Sequence, residues 1–274
     1  MITVTMLKIL GMFIGCISAV YVPEYSITAL LISQASYCMS NTNTWVCKSC
    51  NADNILENKI EHKGELVILG YNSQYRSAFI GFRGSSNIQN WISNIQIIFT
   101  HPYNDTSIAV SDGFFKLYDS LKEDIFTNLL AVSNKYDTSD VIITGHSLGG
   151  ALATLCAFDI LYHNIEYNIK FHITFGSPRV GNRNFFEQFT TYDIYSKRIT
   201  HYYDIVPHVP QEVVGYRHIN NEVWYNEENS GYVICNDDYV EDNSCSDSCA
   251  PNKCTSISDH LNYLNISMGS DGYC

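Results

Sequence analysis

Residues 141–153 read Val141-Ile142-Ile143-Thr144-Gly145-His146-Ser147-Leu148-Gly149-Gly150-Ala151-Leu152-Ala153. The first four are apolar or β-branched and read as a short, fully apolar strand candidate. Gly145-His146-Ser147-Leu148-Gly149 is a G-x-S-x-G turn, whose glycines let the backbone reverse sharply and lift a serine hydroxyl above a sheet. The alanine-rich segment that follows is predicted as a helix whose small residues allow close packing on that sheet. Its first turn would aim unpaired N–H groups, carrying about half a positive charge, at a developing oxyanion. Strand, turn and helix together make Ser147 a candidate nucleophile.

Outward from this point, strand and helix signals alternate. Residues 27–37 have near-helical apolar spacing. Residues 65–71 and 77–82 are strand-like. Residues 113–132 place Phe114, Leu117, Tyr118, Leu121, Ile125 and Leu129 on one helical stripe. After the helix 148–162 come a strand at 171–175, a helix at 184–191 and a strand at 198–203. This order predicts an α/β domain with a central, mostly parallel sheet flanked by helices. Residues 216–219 and 222–225, joined by Asn220-Asn221, read as a terminal hairpin. Residues 231–258 are acidic and cysteine-dense and read as a disulfide-tied C-terminal insertion. No internal repeat is present.

Composition restricts the function classes. The chain of 274 residues has 46% hydrophobic and 16% charged residues, which suits one large domain, residues 20–274, with its own core. Lys8 followed by the apolar run from Ile9 to Ile17 and the small residues Ser18 and Ala19 reads as a signal peptide over residues 1–19, cut near Ala19, an uncleaved anchor being the competing reading. With the leader removed, no stable transmembrane segment is expected. A net charge of −12 argues against nucleic acid or a strongly anionic membrane as partner. Of the ten cysteines, Cys16 lies in the leader and Cys156 in an apolar helix. The other eight are Cys38, Cys47, Cys50, Cys235, Cys245, Cys249, Cys254 and Cys274. They can form four disulfides in an extracellular, oxidising compartment, in any of roughly a hundred pairings. Asn104 and Asn265 head glycosylation sequons.

A serine nucleophile needs a histidine base oriented by a carboxylate. For this chain order the acid and then the histidine follow the serine. His163, His172, His201, His208, His218 and His260 all follow Ser147. His260 lies beyond every core strand, where a returning loop presents it. Asp204 follows the strand 198–203, at the carboxyl end where open α/β sheets carry their chemistry. Asp193 and Asp259 are rival carboxylates. His146, inside the turn, reads as a hydrogen-bonded structural histidine.

Between the strand 77–82 and the long helix, Ile88, Trp91, Ile92 and Ile95 fall at i, i+3, i+4 and i+7, the apolar face of a short uncharged helix.

Taken together, these segments resemble the class 3 lipase family, the fungal-type triacylglycerol lipases of the α/β-hydrolase fold. The resemblance rests on Gly81-Phe82-Arg83-Gly84-Ser85, Asn90-Trp91, Gly145-His146-Ser147-Leu148-Gly149-Gly150, Phe175-Gly176-Ser177-Pro178-Arg179-Val180-Gly181-Asn182, Asp204-Ile205-Val206-Pro207 and His260-Leu261, in the family's order over roughly residues 25–274. The phrase from Gly176 to Asn182 holds no residue with an obvious chemical task.

The resemblance implies Ser147 as nucleophile, Asp204 as acid and His260 as base. It implies an oxyanion hole at Ser85, through its hydroxyl and N–H, and at the Leu148 N–H, with the 88–95 segment as a lid that moves at a lipid surface. It also implies the pairs Cys38–Cys274 and Cys47–Cys50. Cys235, Cys245, Cys249 and Cys254 exceed the fungal pattern and are expected to pair among themselves, a zinc site being the alternative. Ser111 stands where the family usually has a histidine. The activity so implied is hydrolysis of lipid esters, triacylglycerols first, at a water–lipid interface, through an acyl-enzyme and with no metal or organic cofactor. Phospholipase A1 or feruloyl-type esterase activity, or an inactive lipid-binding relative, are the alternatives. The sequence carries no signal for oligomeric state.

Overall fold

The computed structural model describes residues 20–38, 45–62, 64–236, 241–250, 252–270, 272 and 274. The expected leader, residues 1–19, lies outside them. In chain order the elements are α1 (Pro23–Cys38), β1 (Asn54–His62), β2 (Glu65–Asn72), β3 (Ser77–Phe82), α2 (Ile88–Asn94), β4 (Phe99–Thr100), β5 (Val110–Ser111), α3 (Asp112–Tyr136), β6 (Asp140–His146), α4 (Leu148–Tyr162), β7 (Asn168–Phe175), β8 (Gly181–Asn182), α5 (Arg183–Thr190), β9 (Ser196–His201), β10 (Tyr216–Arg217), β11 (Glu222–Tyr225), β12 (Tyr232–Ile234), α6 (Ile257–His260), β13 (Asn262–Tyr263) and β14 (Ile266–Ser267).

The main sheet runs β1-β2-β3-β6-β7-β9-β11-β12. Its central pairings, from β3 to β11, are parallel, and the outer ones are antiparallel. Side-chain alternation then sorts the core into two layers. Val141 and Ile143 of β6 face α3 and α4, with Ala78, Ile80 and Phe82 of β3. Ile142 turns to the opposite side, toward α1, with Phe171, Ile173 and Phe175 of β7. Helix α4 is buried over nearly its whole length, so its apolar residues cover more than one face. Each large apolar side chain taken wholly out of water there contributes about 1.5–3 kcal/mol. A Cβ on Gly149 would lie 2.2 Å from the Phe82 carbonyl oxygen, so that glycine sets how closely α4 approaches β3.

Two expectations need correction. Residues 216–219 and 222–225 do not form a hairpin. β10 pairs with β8 in a separate small sheet, whereas β11 lies parallel to β9 and antiparallel to β12. Beside β9, β11 buries Val223 and Tyr225 under α1 and covers an edge that a local hairpin would leave unpaired. The beginning of the 231–258 region likewise belongs to the sheet, as β12. The part beyond it is tied by Cys235–Cys245 and Cys249–Cys254, so these four sulfurs are not thiolates available to zinc. Cys38–Cys274 joins α1 to the C-terminus and Cys47–Cys50 closes a local loop, while Cys156 is a buried free thiol. β1 escaped sequence reading because its charged, half-exposed pattern has no clean alternation.

Candidate active site

Ser147 occupies the turn between β6 and α4 with φ 59° and ψ −131°, a left-handed conformation that costs a non-glycine residue on the order of 1–2 kcal/mol. The turn is held by the Ser147 N–H donating to the Phe175 carbonyl at 2.9 Å and the Gly150 N–H donating to the Ser147 carbonyl at 2.8 Å. A Cβ on Gly145 would sit 2.2 Å from the Gly149 carbonyl oxygen, so the motif's first glycine is required by the tightness of this reversal.

Asp204 lies in the turn after β9, and His260 ends the short helix α6. Both are buried, at 1% and 0% exposure. His260 Nδ1 is 2.9 Å from Asp204 Oδ2. The same oxygen accepts the Tyr263 hydroxyl at 2.5 Å, and Oδ1 accepts the Val206 N–H at 2.8 Å. An ionised carboxylate only accepts, so the proton between acid and imidazole belongs to Nδ1. Nε2 of a neutral His260 therefore carries the lone pair. His260 Nε2 and Ser147 Oγ are both buried and have no hydrogen-bond partner among the described residues.

Gly176, from the phrase that held no obvious chemistry, lies directly against this pair. Its φ is +53°, and a Cβ there would stand 2.7 Å from Asp204 Oδ2, 2.8 Å from the Tyr263 hydroxyl and 2.9 Å from His260 Nδ1. Gly84 has a comparable role beside the nucleophile, since its Cβ would be 3.0 Å from Ser147 Cβ. Ser85, the next residue, is half-buried, and its Oγ accepts the Asn87 N–H at 3.2 Å. That leaves the Ser85 hydroxyl proton free to donate. Leu148 is the first residue of α4, directly after Ser147, so its N–H is one of the helix-start donors that no intrahelical carbonyl claims.

The rival groups lie elsewhere. Asp193 is exposed, and the Asp259 carboxylate accepts the Tyr203 N–H. His172 is buried beside Ser196, its imidazole pushed down to about 3 by burial. His201 bonds the carbonyls of Asp259 and Glu227, and His218 bonds that of Pro207. His146 stacks on His260, with ring centroids 4.5 Å apart, and both its ring nitrogens are engaged. Sequence reasoning missed Tyr263, because a tyrosine three residues beyond a histidine has no local signature. It also missed the task of Gly176, for which the motif itself was the only available signal.

The predicted lid segment forms α2, capped by the Asn87 side chain accepting the Asn90 N–H, with Ile95 just beyond its end. Ile88, Trp91, Ile92 and Ile95 are half-buried. Trp91 and Ile95 rest on the core, Trp91 stacking on Phe114 at 6.1 Å. Ile97 and Ile98 follow at 54% and 58% exposure, and Val213 is 86% exposed. The two segments meet where the Tyr216 hydroxyl donates to the Ile98 carbonyl and Phe99 stacks on Tyr216. Asn104 and Asn265 are both exposed.

Comparison with known proteins gives a consistent set of matches. The family model described as Lipase (class 3) matches residues 79–214. The chain is 32% identical over 249 residues to a lipase of Rhizomucor miehei, covering 87% of this chain and 67% of that one. It is 31% identical over 255 residues to a lipase of Rhizopus niveus, covering 87% and 62%. The chain thus spans about two thirds of the length of these relatives. Among solved structures, lipase II from Rhizopus niveus superposes with a TM-score of 0.83 at 30% identity, covering 91% of this chain and 96% of that one. The Rhizomucor miehei triacylglyceride lipase superposes at 0.82, with the same identity and coverage.

Proposed function

The chain belongs to the class 3 lipase family, and from that premise we propose that it is an exported serine hydrolase of lipid esters, acting first on triacylglycerols. Residues 20–274 form its single catalytic domain in this reading. One observation carries the chemistry: His260 donates a hydrogen bond from Nδ1–H to Asp204, while its Nε2 and the Ser147 hydroxyl are both buried and uncommitted.

Ser147 Oγ attacks the ester carbonyl carbon and His260 Nε2 takes its proton. The oxyanion faces the Ser85 hydroxyl and the N–H groups of Ser85 and Leu148. The bond to the alcohol breaks as His260 returns that proton to the leaving oxygen. Water, deprotonated by His260, then attacks the acyl-enzyme and releases the carboxylic acid, and the proton returns to Ser147. Asp204 stays ionised throughout, holding the Nδ1–H tautomer and stabilising the imidazolium.

Export is supported by the four disulfides and by relatives named secreted mono- and diacylglycerol lipases in Fusarium solani and Penicillium. No helix of the described residues is long and apolar enough to cross a membrane. An insoluble substrate is supported by the uncharged α2 segment and by the exposed Ile97, Ile98 and Val213. A polar lid would fit a feruloyl-type esterase better.

Hydrolysis of tributyrin across its solubility limit, by wild type and Ser147→Ala, tests this reading. Activity that depends on Ser147 and rises when droplets form is the expected result. Activity that depends on Ser147 but saturates below the limit makes the protein an esterase. Turnover of phospholipid alone makes it a phospholipase, and absence of turnover on both substrates makes it a lipid-binding relative.

A further inference from the structure

His146 stands between the candidate base and the end of helix α1, and its two hydrogen bonds define where its proton lies. Nε2 is 2.8 Å from the His260 carbonyl oxygen, and Nδ1 is 2.8 Å from the Tyr37 hydroxyl. A carbonyl oxygen has no proton to give, so Nε2 must carry one. Burial, and then the neighbouring His260, push the His146 imidazole well below the usual histidine range, so the ring is neutral and holds that one proton only. Nδ1 is therefore an acceptor and the Tyr37 O–H points into it. The Tyr37 oxygen in turn lies directly against Gly84, where a Cβ would stand 2.2 Å from it.

Both protons in this chain have one direction: Tyr37 O–H to His146 Nδ1, His146 Nε2–H to the His260 carbonyl. One end rests on the loop that carries Ser85 and the other is the backbone of His260. Tyr37, His146 and His260 are buried at 2%, 1% and 0% exposure, so water does not substitute for a lost link. Tyr37 comes from a distant part of the sequence, and the next residue is stapled by Cys38–Cys274.

We propose that Tyr37 is a positioning residue for ester hydrolysis: by locking His146 in its Nε2–H tautomer, it holds the main chain of His260 in register with the oxyanion loop. The proposal rests on the Ser147–Asp204–His260 reading. Without the Tyr37 hydroxyl, Nδ1 is left a buried acceptor with no donor, and only the His260 carbonyl still holds the ring through its Nε2–H at 2.8 Å. A ring that then turns or takes the Nδ1–H tautomer puts a lone pair against that carbonyl, a repulsion between two acceptors. The neutrality of His146 matters for the same reason, because its ring stacks 4.5 Å from an imidazole that becomes cationic in the reaction.

The test combines a spectroscopic and a kinetic readout on the full exported chain. Nitrogen-15 NMR of histidine-labelled protein, without substrate, is expected to show His146 as the Nε2–H tautomer in wild type and a loss of that preference in Tyr37→Phe. For a dissolved short-chain ester, Tyr37→Phe is expected to lower kcat about tenfold, the equivalent of one hydrogen bond, with KM nearly unchanged. The same substitution in a His146→Gln background is expected to cause no further loss. An Nδ1–H tautomer in wild type overturns the proposal even if the variants fail to fold. So does an unchanged kcat in Tyr37→Phe, or multiplying losses in the double variant. Failure of the triad reading is seen separately, as hydrolysis that survives Ser147→Ala.

Discussion

Replacing Gly176 by alanine adds one methyl group, yet the structure assigns it a large catalytic penalty. The new Cβ would meet Asp204 Oδ2 at 2.7 Å, the Tyr263 hydroxyl at 2.8 Å and His260 Nδ1 at 2.9 Å. An ordinary contact needs about 3.5 Å, so the acid–base pair must yield by roughly 0.6–0.8 Å or the backbone must shift instead. Alanine at φ +53° also costs on the order of 1 kcal/mol in strain. Displacement of a reacting group by about 1 Å lowers rates about a hundredfold, so kcat is expected to fall between tenfold and a hundredfold. The strain alone predicts a melting temperature lower by only a few degrees. The assay is turnover of a dissolved p-nitrophenyl ester beside a thermal melt of the same preparation. Near wild-type kcat in a folded Gly176→Ala protein would refute the reasoning, because it would show that the glycine serves the turn and not the Asp204–His260 contact.

Three further outcomes are expected. Ser85→Ala should lower kcat about a hundred- to a thousandfold while Ser85→Thr keeps most activity, which steady-state kinetics on the same ester would show. Tyr263→Phe removes a hydroxyl that donates to Asp204 Oδ2 at 2.5 Å. Loss of a bond to a charged acceptor is worth about 1.5–3 kcal/mol, to be measured as destabilisation in denaturant titrations together with a several-fold drop in kcat. Glu241 is buried, which raises its carboxyl, but the Arg179 hydrogen bonds and charge outweigh this and hold it at about 2 against an ordinary 4.5. Such a depressed acid stabilises fully above pH 4.5 and loses that contribution as pH falls toward 2, about 3 kcal/mol in all. Glu241→Gln should therefore lower stability at neutral pH and flatten its decline across that window, as read from urea midpoints at each pH.

The amino-acid sequence by itself determined the parts of this protein whose physics is local. The run from Val141 to Thr144, the glycines around Ser147 and the small residues of α4 specify a strand, a sharp turn and a close-packed helix from neighbouring residues alone. The amphipathic spacing of Ile88, Trp91, Ile92 and Ile95 is legible for the same reason. The family resemblance extended that reading to Asp204, His260 and Ser85, which the fold brings to the ends of β9, α6 and β3. Only the tertiary structure decided the pairing of β11 with β9 instead of its sequence neighbour, because the open edge of a parallel sheet is a property of distant segments. Only it showed why Gly176 has no side chain, why Tyr263 and Tyr37 have hydroxyls, and why Arg179 faces Glu241. Each of those residues answers to a contact across tens or hundreds of positions, made in a buried setting where an unpaired polar group is costly, and no periodicity in the chain records it.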